Sequence, residues 1–307
     1  MSFEAKDYVT AVFLVPDRPS ASYAGGELVT GHCIITVEGN VSFDFVEVKF
    51  VGKARVSLPI KDGNNNGGGS GGGKESNCFT KDHNIIEMVY KPSTIYHAPM
   101  TTGKHDIGFS FVIPPNIPSS VDSPLGFIRY KIKAKAGSEK AELLLNIIAS
   151  PIIPITELSV PIIQNKSKKV GFFNGKQVLL HCEIIRSGFT LGTKIPIRCT
   201  VNNQTKRTIV LKGALRQNIT FKANEEERST MNKLSSVYGT TISPESNITH
   251  DLSIQLPQNL PIVHNTCPII KIQYSIVAKL KIPQAFDMRL NMPVILTSLP
   301  IDDNQMP

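Results

Sequence analysis

Basic side chains recur at alternate positions in two stretches of the sequence. They are Arg129, Lys131, Lys133 and Lys135 in the first stretch, and Lys271, Lys279 and Lys281 in the second. Side chains two residues apart on an extended chain point to the same side, so each set is expected to form a row of positive charge. Such a row could bind a carboxylate, a phosphate or an acidic lipid surface. The alternative is that these cations only solvate an outer strand face, and both interpretations stay open.

The residues between these cations are apolar, which indicates the local structure. Ile128, Tyr130, Ile132 and Ala134 alternate with the first basic row. Strict alternation of apolar and polar residues is typical of a β-strand with one buried and one wet face. The stretch 270–282 alternates in the same way around the second row. Each row is therefore predicted to lie on the outer face of a strand, where its members are candidate anion or partner contacts.

A glycine-rich stretch contains two patterns that resemble catalytic or nucleotide-binding motifs. Gly68-Gly69-Ser70-Gly71-Gly72 fits G-x-S-x-G, and residues 67–72 fit G-x-G-x-x-G. Both chemistries need a strand that leads into the motif and a helix that leads out of it. A run of glycine and asparagine supplies neither element, because it cannot bury apolar surface. We interpret this stretch as a flexible loop between strands.

The other reactive residues form no catalytic or metal-binding pattern. Nucleophilic catalysis needs a base within hydrogen-bond reach of a nucleophile, and zinc sites need closely spaced Cys and His ligands. The seven histidines form no such motif, and the five cysteines include no CxxC pair. His181 and Cys182 are neighbours on a predicted strand and so point to opposite faces. We expect a protein that is not an enzyme, with no catalytic residue, no metal and no cofactor, and with reduced cysteines.

Composition indicates a globular chain, and its positive charge favours anionic partners without identifying one. The chain has 33 basic and 25 acidic residues, a net charge of +8 and 41% apolar residues. No apolar run approaches the roughly 18 residues of a spanning helix. The N-terminus, with Glu4, Asp7 and Pro16, is a poor secretory signal. We therefore expect a cytoplasmic protein that binds acidic protein segments or lipid surfaces, and no nucleic acid.

A long internal repeat predicts two domains of one kind. His105-Asp106, Asn116, Pro118 and Tyr130 recur about 144 residues later as His250-Asp251, Asn259, Pro261 and Tyr274. With many alternating strands and no convincing amphipathic helix, the chain is predicted to be all-β, with two tandem antiparallel immunoglobulin-like β-sandwich domains. The predicted bounds are an N-terminal domain at 1–155 with a flexible Gly/Asn loop at 62–77, a connector at 156–170, a C-terminal domain at 171–300 and a short tail at 301–307.

Three local features carry further expectations. The polar segment 222–247 is predicted to be an irregular loop or lid. Gly52 interrupts the apolar face of the strand predicted at 45–56, which favours a bulge or a close backbone approach there. His32 alternates with apolar residues on its strand and is predicted to be a surface histidine.

Stretches of the first half resemble the arrestin-domain proteins of the α-arrestin type. GELVTGHCIITVEG (26–39) and VEVKFVGKARV (46–56) resemble early strands of the family. FSFVIPPNIPSSVDSPLGFIRYKIKA (109–134) is very close to the most specific motif of the family. This resemblance implies that the predicted sandwiches are arrestin domains.

The second half continues the resemblance. Arg186, Gly188, Phe189 and Gly192 match a motif near the start of the C-terminal arrestin domain, and residues 265–296 resemble its closing strands. The resemblance implies a non-enzymatic cytosolic adaptor that binds membrane cargo, such as receptors and transporters, and links it to ubiquitination, endocytosis and protein transport. The implied partners are cytoplasmic tails of membrane proteins, a HECT-type ubiquitin ligase and an anionic lipid surface. The implied location is cytoplasmic, with peripheral recruitment to the plasma membrane or endosomes.

Two alternatives stay open beside the adaptor. One is a retromer-type arrestin-fold subunit of an endosomal sorting coat. The other is a secreted tandem sandwich of the adhesion type, which would carry glycans at Asn218 or Asn247.

The sequence also departs from patterns that the resemblance implies. It contains no PPxY motif for binding the WW domains of HECT-type ligases. Asn146 stands where visual and β-arrestins place a phosphate-sensing arginine. The thioredoxin-binding member of the family uses a cysteine in the region that corresponds to 240–247, and this chain has none there. We therefore expect neither that phosphate switch nor a mixed disulfide with thioredoxin.

Overall fold

A computed structural model describes the protein over four ranges, which are residues 7–60, 78–92, 98–171 and 175–301. The predicted glycine-rich loop at 62–77 lies outside these ranges, as does the predicted tail beyond residue 301. The chain divides into two compact units. The first comprises Met1–Ser150, Phe221–Arg228 and Val263–Lys271, and the second comprises the remainder. Strands account for nearly all of the regular structure, so the prediction of an all-β protein is confirmed.

Nine strands form the sheets of the first half, counted over residues 7–60, 78–92 and 98–150. They are β1 (Tyr8–Pro16), β2 (Ser22–Ala24), β3 (Leu28–Glu38), β4 (Val46–Pro59), β5 (Cys78–Tyr90), β6 (Gly103–Val112), β7 (Val121–Ser123), β8 (Gly126–Ala136) and β9 (Glu139–Ile148). A three-stranded sheet has the order β1-β3-β6. A six-stranded sheet has the order β2-β9-β8-β4-β5, with β7 paired to β8. A short 3-10 turn at Phe43–Phe45 precedes β4.

The core of the first unit lies between its two sheets. Phe50 on β4 lies 6.1 Å from Phe111 on β6, measured between ring centroids. Phe50 also stacks on Tyr130 of β8 at 6.0 Å. The apolar residues that the alternation pattern assigns to the inner faces of β4 and β8 are buried. The period of two therefore predicted both the strands and their inner faces.

Gly52 lies where β4 meets its neighbours, as its break in the apolar face suggested. The pairing of β4 with β5 shifts register between Gly52 and Lys53. A Cβ atom at Gly52 would lie 2.5 Å from the ring of Tyr130. The position therefore combines a bulge with a close backbone approach, as expected.

In the second half, the residues that the structure describes form one short helix and nine strands. They are α1 (Ile155–Leu158), β10 (Ile162–Val170), β11 (Lys176–Ile184), β12 (Gly188–Thr190), β13 (Lys194–Asn203), β14 (Ile209–Ala223), β15 (Glu226–Ile242), β16 (Ser246–Gln255), β17 (Ile270–Lys281) and β18 (Met288–Thr297). One sheet has the order β10-β11-β13-β16, and the other β12-β18-β17-β14-β15. No helix within the described ranges has the length and apolar character needed to cross a membrane.

The prediction of a loop or lid at 222–247 was wrong, because β15 occupies most of that segment. This strand is 17 residues long and is the last strand of its sheet. Most of its side chains are exposed or half-buried. Because few of its positions need apolar residues, its sequence resembles that of a loop. The segment predicted as a connector at 156–170 contains the end of α1 and all of β10, which pairs with β11.

Candidate functional site

A groove on the outer face of the six-stranded sheet contains most of the first basic row. It has a volume of about 340 Å³ and lies over β4, β5 and β8. Five basic side chains line it, which are Lys53, Arg55, Arg129, Lys131 and Lys133. We call this feature the basic groove. Its floor includes the apolar residues Val51, Ile86 and Phe127.

Strand pairing explains why these cations converge. β4 and β8 are antiparallel neighbours, and their register places Lys53 directly opposite Arg129. Lys131 and Lys133 follow Arg129 on the same face of β8, because alternate residues share a face. The guanidinium of Arg129 lies 4.2 Å above the ring of Phe127, which holds it over the floor of the groove. Two strands that are distant in sequence thus supply one cluster of positive charge.

One acidic side chain beside the groove, Asp82 on β5, is shared between two cations on β4, and Glu87 also lines the groove. The carboxylate of Asp82 accepts hydrogen bonds from Arg55 Nε at 2.6 Å and Nη2 at 2.8 Å. Lys53 Nζ lies 2.6 Å from the same carboxylate. These contacts, Arg55 first, hold the pKa of Asp82 far below its usual range. Asp82 therefore stays ionised, and its cluster retains a surplus positive charge.

A second acidic side chain is shared in the same way on the other side of the groove. Glu142 on β9 lies 2.5 Å from Lys131 Nζ and 3.2 Å from Lys133 Nζ. The hydrogen bond from Lys131 is the main cause of the lowered pKa of Glu142, followed by that from Lys133. Arg129 pairs with Asp122 at 2.6 Å. The cations of the groove are thus partly neutralised by carboxylates that are themselves exposed.

Lys135, the fourth member of the first row, lies outside the groove. It is exposed on the outer face of β8, where it is opposite Glu47 of β4 and Lys140 of β9. The structure therefore brings Arg129, Lys131 and Lys133 together in one site and leaves Lys135 at the end of the row.

The second basic row does not form a single site. Lys271 is exposed near the start of β17 and belongs to the first unit, whereas Lys279 and Lys281 belong to the second. Lys279 Nζ lies 2.5 Å from the carboxylate of Asp287, which is the main cause of the lowered pKa of Asp287. The alternation pattern correctly placed all three lysines on the polar face of β17. Lys271 nevertheless belongs to a different unit from Lys279 and Lys281.

An exposed aromatic residue directly precedes Asp287, the partner of Lys279. Phe286 lies in the loop between β17 and β18 and is 88% exposed. Lys168 Nζ donates a hydrogen bond to the carbonyl oxygen of Phe286 at 2.5 Å and lies 5.6 Å from its ring. Arg207 donates to the carbonyl oxygen of Pro283 at 2.6 Å. We call Phe286 and the cations around it the basic loop.

The cations of the basic loop outnumber its acidic groups. They are Lys166, Lys168, Arg207, Lys279, Lys281 and Arg289. Asp287 is the acidic residue of the loop segment between β17 and β18. An exposed phenylalanine within a cluster of lysine and arginine has the chemistry of a site that contacts an anionic lipid surface.

The position where the resemblance places a phosphate-sensing arginine, Asn146, has a neutral contact. Asn146 on β9 is exposed, and its side-chain amide donates to Ser22 Oγ at 3.0 Å. His181 is half-buried on the outer face of β11, and its neighbour Cys182 is buried on the inner face. Within the described ranges, no group of three His, Cys, Asp or Glu side chains is arranged to hold a metal ion.

Two groups of site residues were not singled out from the sequence. Lys53 and Arg55 alternate with apolar residues in the strand predicted at 45–56, but only the pairing of β4 with β8 joins them to Arg129. Phe286 lies three residues after Pro283 and just beyond the alternating stretch 270–282, and a proline at the end of a strand pattern marks a loop. That signal was available in the sequence.

Comparison with known proteins agrees with this architecture. The N-terminal domain of the arrestin (or S-antigen) family matches residues 13–142, and the C-terminal domain matches residues 174–301. Arrestin domain-containing protein 4 of Homo sapiens is 23% identical over 300 residues, which cover 92% of this chain and 70% of that protein. Arrestin domain-containing protein 5 of Bos taurus is 25% identical over 307 residues, with 93% and 90% covered.

A third relative has a different name. Thioredoxin-interacting protein of Homo sapiens is 23% identical over 297 residues, which cover 93% of this chain and 73% of that protein. The two domain matches together span most of the chain and follow each other in the arrestin order. The protein therefore belongs to the arrestin family, and within it to the α-arrestins.

Proposed function

We propose that this arrestin-type protein is a non-enzymatic adaptor whose basic groove binds acidic cytoplasmic segments of membrane proteins. The observation that supports the proposal most directly is the convergence of five cations on β4 and β8 around an apolar floor. Asp82 and Glu142 are each shared between two of these cations, so both clusters keep a surplus of positive charge.

The spacing of the cations indicates the form of the partner. Arg129, Lys131 and Lys133 are successive outward residues of one strand, so they recur about every 7 Å. An extended peptide that lies along β8 repeats its own side chains at the same interval. A segment with Asp, Glu or phosphorylated residues at alternate positions would therefore meet one cation with each anion. The apolar floor formed by Val51 and Ile86 would accept the aliphatic parts of the same segment.

The basic loop supports recruitment to a membrane surface. Its cations favour anionic headgroups, and the exposed ring of Phe286 can enter the interface between headgroups and acyl chains. We propose that the protein works in the cytoplasm and is held peripherally at the plasma membrane or endosomes. The two sites would contribute separate affinities, one for the cargo segment and one for the lipid.

We further propose that the adaptor links its cargo to ubiquitination and endocytosis through a HECT-type ligase. Residues 1–307 contain no PPxY motif, so recruitment through these residues would use another surface or a bridging protein. The relative named thioredoxin-interacting protein raises thioredoxin as a different partner. Four of the five cysteines are buried and Cys78 is half-buried, which disfavours a mixed disulfide on this chain.

Charge reversal in the basic groove tests the cargo proposal. The triple variant R129E/K131E/K133E should lose most of its binding to an acidic extended peptide, measured by fluorescence anisotropy at low and physiological salt. The variant K271E/K279E/K281E has the same change in net charge and serves as the matched control. It should keep its peptide binding. Equal losses in both variants would mean that only net charge matters, and unchanged binding in the first would reject the groove.

Affinity purification from cytosol with crosslinking tests the wider role. Recovery of membrane transporters together with a HECT-type ligase would support the adaptor. Stable recovery of retromer components at fixed stoichiometry would replace it with the sorting-coat alternative.

A further inference from the structure

Two cysteines contact each other inside the second unit. Cys182 on β11 and Cys199 on β13 are directly opposite in the antiparallel pairing of these strands. Their Sγ atoms lie 3.0 Å apart. Neither residue has any exposed surface. The two strands are the central pair of the four-stranded sheet, so the contact joins the middle of that sheet.

Two of the other cysteines lie on strands opposite residues of other types. Cys33 lies opposite Ile107, and Cys78 lies opposite Pro59. Cys267 lies outside the strands and is buried. None of the five cysteines is in a disulfide. Burial alone is thus common among these thiols, and direct opposition across a strand pair distinguishes Cys182 and Cys199.

We propose that Cys182 and Cys199 are a modification site, a reversible dithiol that peroxide oxidises to a disulfide. Peroxide first converts one thiol to a sulfenic acid and releases one water molecule. The second sulfur then attacks the sulfenic sulfur, the S–S bond forms, and the hydroxyl leaves as a second water with the thiol proton. Two electrons pass from the sulfur atoms to the peroxide. A thiol reductant reverses the reaction.

The surroundings of the pair set its reactivity. The contact with Cys199, followed by burial, raises the pKa of Cys182, so the thiolate fraction is small in the folded protein. Bulky alkylating reagents have no path to a fully buried sulfur, whereas hydrogen peroxide is hardly larger than water. The pair should therefore resist alkylation and still be oxidised slowly. The resulting bond would connect residues 17 apart in sequence and hold β11 to β13.

The test is a redox trapping experiment on the folded, full-length chain. The protein is treated with hydrogen peroxide, quenched, unfolded in the presence of N-ethylmaleimide and mapped by mass spectrometry. We expect a linked peptide pair that contains Cys182 and Cys199 and that disappears after treatment with dithiothreitol. Oxidation should also raise the melting midpoint of the second unit by roughly 10 °C, as expected for closing a loop of this size.

Single variants supply the controls. C33S removes another buried cysteine and should leave the linked pair intact, whereas C199S should abolish it. Because C199S could also disturb folding, the peptide map of the unmutated chain is the deciding measurement. If the folded protein gives no linked pair, or gives one only after it is unfolded before oxidation, the proposal is rejected. A disulfide that joins two chains through Cys78, found in place of the link between Cys182 and Cys199, would reject the proposal as well.

Discussion

The hydroxyl of Tyr130 donates a hydrogen bond to the carbonyl oxygen of Pro118 at 2.7 Å. The internal repeat matches Tyr130 to Tyr274 and Pro118 to Pro261, and the hydroxyl of Tyr274 donates to the carbonyl oxygen of Pro261 at the same 2.7 Å. Each hydrogen bond fastens the end of a proline-containing segment to the inner face of a strand. The repeat detected in the sequence therefore preserves an interaction as well as a pattern of residues.

Replacement of these tyrosines by phenylalanine should destabilise each unit. Y130F leaves the carbonyl oxygen of Pro118 buried without its donor, which costs about 1–3 kcal/mol of unfolding free energy. Y274F should cost more, because its hydroxyl also accepts a hydrogen bond from Gln217 at 2.9 Å. Chemical denaturation with each transition fitted separately measures both values. Y238F changes a tyrosine that is 75% exposed and should have almost no effect.

Gly52 should not tolerate a methyl group. A Cβ atom there would lie 2.5 Å from the ring of Tyr130 and 2.9 Å from Ile86. Relief of this overlap requires a shift of a fully packed ring, so G52A should destabilise the first unit by about 1–3 kcal/mol. G108A is the matched control, since a Cβ atom at Gly108 on β6 would meet nothing within 4 Å. Equal stability of the two variants would contradict the packing argument.

Alternation of apolar and polar residues was enough to predict β4 and β8 and their buried faces. Tyr130 and Arg129 were placed on opposite faces of one strand, and both positions are confirmed. The sequence alone could not show that Lys53 lies opposite Arg129, because strand pairing depends on contacts between residues far apart in the chain. The basic groove is a product of that pairing, so only three of its five cations, Arg129, Lys131 and Lys133, could be named in advance.

The position of β15 at the edge of its sheet explains the main error in the predicted secondary structure. β15 has polar residues on both faces because much of its surface is in contact with water, and its hydrogen bonds come from a single neighbouring strand. Met231 and Tyr238 remain exposed on it, so no apolar period marks the strand. Burial is the source of the period-two signal, and a long exposed edge strand therefore resembles a loop.

Removal of one groove carboxylate should strengthen peptide binding. Glu142 forms ion pairs with both Lys131 and Lys133, so a bound anion must compete with its carboxylate for these two cations. E142Q releases both cations, so affinity for an acidic peptide should rise by about 2–5-fold, in line with the small energy of an exposed ion pair.

Calorimetric titration of the peptide against E142Q gives this change directly. E139Q changes the charge of the same strand without removing a contact to Lys131 or Lys133 and should leave affinity nearly unchanged. A weaker peptide complex with E142Q would show that Glu142 orders the groove and does not compete for it.

The pKa of His32 should lie above the usual value for a histidine side chain. Its Nδ1 lies 2.7 Å from Asp106 and its Nε2 lies 3.5 Å from Asp17. The hydrogen bond with Asp106 is the main cause of its raised pKa. The folded state therefore binds this proton more tightly than the unfolded state. Its contribution to stability is complete below the unfolded pKa of about 6.5 and is lost as the pH rises through the folded pKa.

NMR titration of the imidazole resonances measures this pKa. D106N should lower it clearly, and D17N should lower it less because Asp17 is farther from the ring. If the titration midpoint in D106N matches that of the unmutated protein, the ion pair is not the cause of the shift.

Phe286 should govern attachment to anionic vesicles. Its ring is 88% exposed, and burial of a phenylalanine side chain in an apolar medium stabilises a complex by about 1.5–3 kcal/mol. F286S should therefore weaken binding to phosphatidylserine vesicles about 10–100-fold in a sedimentation assay. Vesicles of neutral phosphatidylcholine should bind poorly to both proteins, because the surrounding cations would lack headgroup partners.

An exposed aromatic residue elsewhere in the second unit separates this role from a general loss of apolar surface. Tyr238 is 75% exposed on β15, with Lys212 4.1 Å from its ring centroid. Y238S removes a comparable ring beside a comparable charge, yet it should leave vesicle binding intact because it lies outside the basic loop. If Y238S and F286S weaken binding equally, exposed rings contribute nonspecifically. If neither does, the cations alone are responsible, and K279E/K281E would then abolish the attachment.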